Sequence, residues 1–264
     1  MTLKKLLQKI LFYFRLLELD PPYFVLTLRG LPYCINDFFV LKRQLNRQNV
    51  FRISRLLPYV SDRFNAGGLM KGQYFHQDLH VAKRIFRNSP AKHVDIGSRM
   101  DGFVAHVAVF REIEVFDIRP VKGTVPNIKF TQADLMNPEW GLTDYCDSVS
   151  CLHALEHFGL GRYGDPVDAE GHLKGFENIS KTLRKGGRLY LSVPIGRQRI
   201  EFNAHRVFDL RYLLRLFEGR YKIESFSYVD DKGILFENAA LTDEGIDMNF
   251  GCDFGCGIFE MTKL

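Results

Sequence analysis

The sequence predicts an α/β fold with a doubly wound, mostly parallel sheet of seven strands. Apolar strand-like runs recur along residues 93–264, and helical patterns at 172–184 and 209–218 separate several of them. Strands that alternate with helices are typical of a parallel sheet covered on both faces. The seven runs are 93–97, 113–118, 128–134, 146–153, 188–194, 221–229 and 256–263.

Residues 1–92 are predicted to form a basic, mainly helical N-terminal extension before the domain at 93–264. The extension has 16 Lys or Arg against 5 Asp or Glu, a net charge of +11, whereas residues 93–264 have 20 against 26, or −6. This asymmetry indicates an anionic partner such as a membrane surface, a nucleic acid or a charged glycan carrier. A second basic helical stretch is expected over 38–58.

Within residues 1–20, apolar side chains recur at three- and four-residue steps among lysines, which predicts an amphipathic helix stopped by Pro21 and Pro22. Its charges recur too often for a transmembrane span of ~20 mainly apolar residues. Such a helix can lie on an anionic membrane or pack on the domain, and the sequence leaves both open. Five scattered cysteines favour a reducing, cytoplasmic compartment, with the inner membrane face as an alternative. No metal site is expected.

The stretch HVDIGSRMDGF, residues 93–103, predicts a buried strand that enters a glycine turn. Gly97 can adopt a positive φ and lets a ligand approach the backbone. Asp117 ends the next strand twenty residues later, where a carboxylate can accept both hydroxyls of a ribose. Asp134 closes the third strand. Acids at successive strand ends indicate a ligand at the rim of the sheet, because an unpaired buried carboxylate is costly.

This arrangement resembles the Rossmann-like class I S-adenosylmethionine (AdoMet) methyltransferases. The resemblance places Gly97 under the methionine moiety, Asp117 on the ribose and Asp134 at the adenine amino group. The turn departs from the family's glycine-rich loop, having Ser98-Arg99-Met100-Asp101 before the next glycine. An NAD-type dehydrogenase is the alternative, but Asp101 would lie beside its pyrophosphate. The predicted cofactor-binding residues are Asp95, Gly97, Ser98, Asp117, Asp134, Leu135 and His153.

The fourth strand leads into His153, Glu156 and His157, an H-x-x-E-H pattern that superficially matches a zinc-protease helix. Here the pattern follows a strand directly and enters a glycine-rich loop, so zinc proteolysis is not expected. Histidines at this cleft can be structural, or can take a proton from an attacking hydroxyl. The predicted catalytic residues are His157, His205 and Glu156.

Two polar segments follow adjacent strands and are expected to meet at the cleft. The first, 159–168, is a glycine-punctuated loop long enough to act as a lid, and the second is the block 200–208. A satisfied structural cluster is the alternative for the second block. The predicted substrate-binding residues are Arg162, Tyr163, Asp165, Asp168, Glu201, Asn203 and Arg206.

These two blocks also resemble a methyltransferase-like family of unknown function that was first named from nematode proteins. Bacterial members often lie beside genes for surface-polysaccharide assembly, so the resemblance implies a saccharide or glycan acceptor. We therefore predict an AdoMet-dependent O-methyltransferase of surface-polysaccharide biosynthesis. The alternatives are a non-catalytic, cofactor-binding scaffold of a glycan-assembly complex and an RNA O-methyltransferase. Nucleic acid is not the expected partner, because LHALEH replaces the N/D-P-P-Y/F signature of amino-methylating enzymes.

Overall fold

The computed structural model describes residues 21–45 and 51–264. The chain divides into two compact units, Met1–Leu69 and Met70–Leu264, and not between residues 92 and 93 as predicted. The reason is helix α2, Gln73–Asn88, which buries Val81 and Ile85 in the same apolar cluster as the second strand. A helix before the first strand is therefore part of the sheet domain.

The first unit contains helix α1, Pro21–Leu45, and a 3-10 turn at Asp62–Phe64. The amphipathic helix predicted over 1–20 lies outside the described residues. Pro21 and Pro22, the predicted stop of that helix, are themselves helical. The helix predicted over 38–58 is also not continuous, since 51–60 is not helical.

The sheet unit contains ten strands and four further short helices. The strands are β1 His93–Ile96, β2 Ile113–Asp117, β3 Ile128–Gln132, β4 Cys146–Leu152, β5 Leu183–Ile195, β6 Arg199–Glu201, β7 His205–Val207, β8 Tyr221–Val229, β9 Leu235–Phe236 and β10 Gly255–Lys263. The helices are α3 Ala105–Ala108, α4 Gly171–Thr182, α5 Leu210–Phe217 and α6 Asp243–Asp247. All seven predicted runs form strands.

The main sheet has the order β3-β2-β1-β4-β5-β10-β8-β9. The first five strands in this order, β3, β2, β1, β4 and β5, are parallel to one another. Strand β10 lies antiparallel between β5 and β8. The sheet has eight strands and not seven, because the two-residue β9 adds to the edge beside β8. Strands β6 and β7 form a separate hairpin.

Apolar side chains fill both faces of the sheet. On one face, Phe176 of α4 and Leu213 and Phe217 of α5 belong to one buried cluster with the central strands. On the other, α2 and the segment around Phe103 pack with Val115 of β2. Because β1, β2 and β4 are parallel, their carboxyl ends meet at one edge, where ligands of doubly wound sheets bind.

Candidate active site

A cavity with about 520 Å³ of space outside protein atoms, part of it open to solvent, follows the carboxyl ends of β1 to β4. We call it the first cavity. Its lining includes Gly97, Asp117, Arg119, Asp134, Leu135, His153, His157, Tyr163 and Asp165.

The turn after β1 is built around Gly97. Its φ is +72°, and a Cβ atom at this position would lie 3.0 Å from Cβ of Ala154. Its N–H donates to the carbonyl of Phe116 at 2.9 Å, which ties the turn to the end of β2. A side chain here would be strained and crowded, so glycine is needed for both reasons.

Asp95 supports this turn and does not contact the cavity, contrary to prediction. Its carboxylate is fully buried and accepts hydrogen bonds from Ser98 N at 3.0 Å, Ser98 Oγ at 2.8 Å and Ser150 Oγ at 2.5 Å. Burial raises the pKa of Asp95 to about 6, although these three hydrogen bonds oppose the rise. The side chain points inward because it satisfies the backbone of the turn.

His93 extends this buried network beneath the turn. Its Nε2 lies 3.1 Å from Ser150 Oγ and its Nδ1 lies 2.8 Å from Ser148 Oγ. Burial lowers the pKa of His93 to about 3, so the ring is neutral near neutral pH. The turn therefore rests on a chain of hydrogen bonds from His93 through Ser150 to Asp95.

Asp117, at the end of β2, lies at the rim of the first cavity as predicted. It accepts hydrogen bonds from Arg119, from the backbone N at 2.8 Å, Nε at 3.0 Å and Nη2 at 2.6 Å. The Arg119 guanidinium also lies 4.4 Å from the ring centre of Tyr163. Arg119 thus connects the Asp117 carboxylate to the loop after β4.

Asp134 and Leu135 form the third wall of the cavity, after β3. Asp134 Oδ1 accepts a hydrogen bond from Met136 N at 2.8 Å, which leaves its second oxygen for a ligand. Leu135 is buried and presents an apolar surface to the same cavity. The pair can contact the edge and the face of a flat heterocycle.

The residues after β4 form a 3-10 turn at Leu155–His157, not the α-helix of a zinc protease. His153 has a φ of +49° and its Nδ1 lies 2.8 Å from Glu156 Oε1. Glu156 is buried and lines no part of the first cavity, so it cannot contact a substrate there as predicted. Within the described residues, no group of three or more His, Cys, Asp or Glu is arranged to hold a metal ion.

The pKa values of these three groups are set by their contacts. Burial would lower the pKa of His153, but its contacts with Cys256 and Glu156 raise it well above its ordinary value. Burial would raise the pKa of Glu156, but the two histidines, His153 above all, lower it. Burial lowers the pKa of His157, and Glu156 only partly opposes this. His157 is therefore the group that favours the neutral, proton-accepting form.

The orientation of His157 suits a base. A carbonyl can only accept a hydrogen bond, so the 2.7 Å contact from Nδ1 to the Ala204 carbonyl places the proton on Nδ1. Nε2 then has a free lone pair, and the ring lines the first cavity. Glu156 Oε1 lies 3.7 Å from Nε2, close enough to stabilise the imidazolium once a proton is taken.

The loop after β4 and the β6–β7 hairpin meet, as predicted, at the Ala204 carbonyl. Arg162 Nη1 donates to it at 2.9 Å beside His157. Asp165 shapes the loop by accepting from Gly159 N at 2.8 Å and Tyr163 N at 3.1 Å, and it also lines the first cavity. Arg162, Tyr163 and Asp165 are thus at the site.

The remaining predicted residues do not line the cavity. His205 contacts Glu201 at 3.1 Å, and its ring lies 4.8 Å from Phe254 and 6.5 Å from His157. Arg206 is buried because it donates to four carbonyls, those of Glu156, Phe158, Asp168 and Ala169. The Asp168 carboxylate pairs with Lys174, and Glu201 and Asn203 are exposed on the hairpin. These predicted contacts are corrected to structural or surface roles.

A second cavity adjoins the first around the turn, and sequence reasoning missed its far wall. Helix α2 contributes Tyr74, Gln77 and Asp78, opposite Ser98, Arg99 and Arg162. The two cavities share Gly97, Arg119, His153 and Tyr163. Together they form one cleft, with its midpoint at the Gly97 turn.

The second cavity has charges of both signs. Asp78 is buried, and burial raises its pKa, although a hydrogen bond from Gln77 at 3.1 Å opposes this. Arg99 and Arg162 line the same space. Tyr74 packs on His153 with ring centres 5.0 Å apart. Such a set complements an amino acid, which has an ammonium and a carboxylate.

A family model described as "Caenorhabditis protein of unknown function, DUF268" matches residues 128–249. The match begins at β3 and includes the loop 159–168 and the β6–β7 hairpin, but neither Gly97 nor Asp117. No curated protein matches the chain. The strand order, with antiparallel β10 inserted, agrees with the predicted Rossmann-like fold of class I methyltransferases.

Several solved structures are similar over most of the chain. The N-methyltransferase NodS from Bradyrhizobium japonicum WM9, in complex with S-adenosyl-L-homocysteine, is 12% identical, with 73% of this chain and 88% of that chain covered and a TM-score of 0.48. The 1,6-didemethyltoxoflavin-N1-methyltransferase from Burkholderia thailandensis is 13% identical, with 71% and 78% covered and a TM-score of 0.49. A putative sarcosine dimethylglycine methyltransferase from Galdieria sulphuraria is 14% identical, with 71% and 85% covered and a TM-score of 0.49.

Proposed function

We propose that this protein is an AdoMet-dependent O-methyltransferase whose acceptor is a saccharide or glycan intermediate of surface-polysaccharide synthesis. The observation that supports it most is the two-part cleft around Gly97. One part has a nucleoside-type wall with Asp117, Asp134 and Leu135, and the other complements an amino acid through Asp78 and arginines. A molecule that joins adenosine to methionine has these two ends.

The electrostatics of the cleft favour AdoMet over a dinucleotide. A pyrophosphate binds best at a free helix N-terminus with convergent N–H groups. Here Met100–Val104 is an irregular turn in which Gly102 departs from helical geometry, and α3 has only four residues. Asp78 would also face the phosphates at close quarters. AdoMet has no phosphate, and its cationic sulfonium tolerates nearby carboxylates.

The residues of the cleft divide the work of a methyl transfer. When bound, AdoMet supplies an electrophilic methyl group and departs as S-adenosylhomocysteine. Asp117 would hold the ribose hydroxyls, and Asp134 would accept from the adenine amino group. His157 Nε2 would take the proton that the acceptor hydroxyl loses as its oxygen bonds to carbon. Most of the acceleration would come from holding the two reactants in line.

The acceptor side supports a polar, hydroxylated substrate. Next to His157, the cleft presents Tyr163, Asp165 and Arg162 as hydrogen-bonding groups. These three lie on one loop, which Asp165 holds through two glycine N–H groups. A sugar ring would find donors and acceptors around it and an aromatic face at Tyr163.

The test is binding followed by transfer. Isothermal titration should detect AdoMet and S-adenosylhomocysteine, and labelled AdoMet should transfer its methyl to a member of a saccharide panel. His157→Gln should bind the cofactor but lose transfer, whereas His205→Gln, a matched change at a histidine outside the cavity, should retain it. Binding without transfer to any saccharide or RNA would favour the scaffold alternative. Transfer to RNA alone would refute the saccharide acceptor.

A further inference from the structure

Helix α1 presents an apolar stripe with no partner among the described residues. Phe24, Leu28, Leu31, Ile35 and Phe39 recur at steps of three and four and share one face. They are 64%, 51%, 40%, 55% and 53% exposed. An 18-residue window of this helix has a mean hydropathy of 1.3, and only 6% of it is buried, unlike a core helix. We call these five residues the α1 stripe.

Two of the four charged residues of the helix, Arg29 and Asp37, lie on the opposite face and are already paired. Arg29 and Asp37 are eight residues apart, and Tyr33 lies between them on the same face. Asp37 forms an ion pair with Arg63, and the Arg29 guanidinium lies 4.8 Å from the ring centre of Phe64. This face is therefore occupied by the segment 60–64, and the α1 stripe points away from it.

The packing of Gly30 fixes this arrangement. A Cβ atom at Gly30 would lie 2.2 Å from the carbonyl oxygen of Val60, so the helix approaches the segment 60–64 at backbone distance. Arg63 also lies 4.9 Å from the Tyr33 ring centre. The helix therefore has one side that faces the segment 60–64 and another, the α1 stripe, that is exposed.

Positive charge is concentrated in the same unit. Residues 1–69 have 11 Lys or Arg and 4 Asp or Glu, a net charge of +7, whereas residues 70–264 have 25 and 27, or −2. Lys42 and Arg43 lie in the last turn of α1. An apolar face beside an excess of cations complements the surface of an anionic bilayer, where acyl chains lie beneath negative headgroups.

We propose that α1 lies in the plane of an anionic membrane with the α1 stripe in the headgroup–acyl boundary and the Arg29–Asp37 face toward residues 60–64. The helix is long enough to span a bilayer, at 25 residues. The in-plane orientation is favoured because its two internal charges and Tyr33 contact protein along one side. This contact is made by α1, whereas the one predicted from the sequence is made by residues 1–20.

Vesicle flotation of the full chain tests this proposal. The protein should float with phosphatidylcholine vesicles that contain phosphatidylglycerol, and much less with phosphatidylcholine alone. Leu28→Glu/Ile35→Glu should reduce the bound fraction about tenfold, because carboxylates are excluded from the apolar layer. The matched control Val109→Glu/Val125→Glu places the same charges at positions that are 85% and 60% exposed in the other unit, and should float like the parent.

Two further measurements separate the other interpretations. A chain lacking residues 1–20 should still float, with weaker dependence on salt. If this truncated chain does not float and the stripe variant floats like the parent, the proposal is overturned. Alkaline carbonate should release the protein, whereas resistance to it would indicate a span. The parent could instead fail to float and sediment as a dimer, with a monomeric stripe variant. That result would show that the stripe joins two copies of this chain. Cofactor titration of each variant checks that the cleft has folded.

Discussion

Replacement of Asp117 by alanine should weaken S-adenosylhomocysteine binding without weakening the fold. Its carboxylate is 7% exposed and accepts three hydrogen bonds, all from Arg119. The Arg119 side chain is 45% exposed, so it can turn to water when its partner is removed. Removal of the buried carboxylate leaves a guanidinium that is half-exposed, so the stability of the variant should change by only about 1 kcal/mol.

The loss should appear in binding, because ribose hydroxyls would donate to this carboxylate. Hydrogen bonds to a charged group contribute about 1.5–3 kcal/mol, which corresponds to an increase in Kd of about 10- to 150-fold. Arg119 lowers this figure if it competes for the same oxygens. Arg119→Ala would then bind the cofactor as tightly as the parent, or tighter.

Isothermal titration with S-adenosylhomocysteine measures the effect, and Asp101→Ala is the matched control. Asp101 is a carboxylate near the same turn that pairs with Arg99 and lines neither cavity. It should leave the Kd within about twofold of the parent, as for other exposed ion pairs. Parent-like binding by Asp117→Ala, or an equal loss in both variants, would refute the assignment of the ribose site.

Three other outcomes are expected. His157→Gln should lower turnover about 10²–10⁴-fold, and an unchanged rate would exclude this base. Because burial lowers the pKa of His157, the activity of the parent should fall only at pH values below the ordinary histidine pKa of about 6.5. Gly97→Ala should lower the free energy of unfolding by at least about 1–2 kcal/mol, since φ is +72° and the new Cβ would lie 3.0 Å from Ala154, and a parent-like urea midpoint would contradict this. His93 has a pKa near 3 in the fold, so the unfolded chain takes up the extra proton below pH ~6.5, and the parent should lose about 2 kcal/mol from this group between about pH 7 and about pH 5. His93→Gln should lack that loss. A stability difference between the two proteins that stays constant with pH would contradict this expectation.

The strands of the sheet could be predicted because each contains an apolar run. Each run from 93 onward forms a strand; β4 and residues 189–195 of β5 are almost wholly buried, whereas β3 and β8 are partly exposed. The β6–β7 hairpin was predicted only as a polar block, because its strands have three residues each and pair only with one another. Helix α2 was assigned to the extension because its charge resembles that of its neighbours, while its burial depends on the tertiary fold.

The cavity residues at strand ends were also accessible to sequence reasoning. Gly97, Asp117 and Asp134 follow parallel strands, and topology alone brings such positions to one edge. Side-chain direction is not encoded in this way. Asp95 and Arg206 turn inward to satisfy backbone groups, and a sequence gives no sign of which carbonyls or N–H groups need them.

The wall formed by α2 could not be found from motifs, because it precedes the first strand and has no glycine signature. Tyr74, Gln77 and Asp78 occupy consecutive turns of an ordinary amphipathic helix. The signal that could have identified them is the burial expected for Gln77 and Asp78. Polar residues on the apolar face of a helix usually have a partner or a ligand.

The position of β10 bears on how the sheet is completed during folding. This strand, Gly255–Lys263, lies between β5 and β8 in the sheet, yet it follows both of them in the sequence. Lys263 Nζ donates to the carbonyl of Ser180 at 2.7 Å, which ties the end of the strand to the sheet domain. Until β10 is inserted, β5 and β8 each have an unpaired edge facing the other across a gap, and open edges invite pairing with other chains. A chain that lacks residues 256–263 should therefore be prone to aggregation.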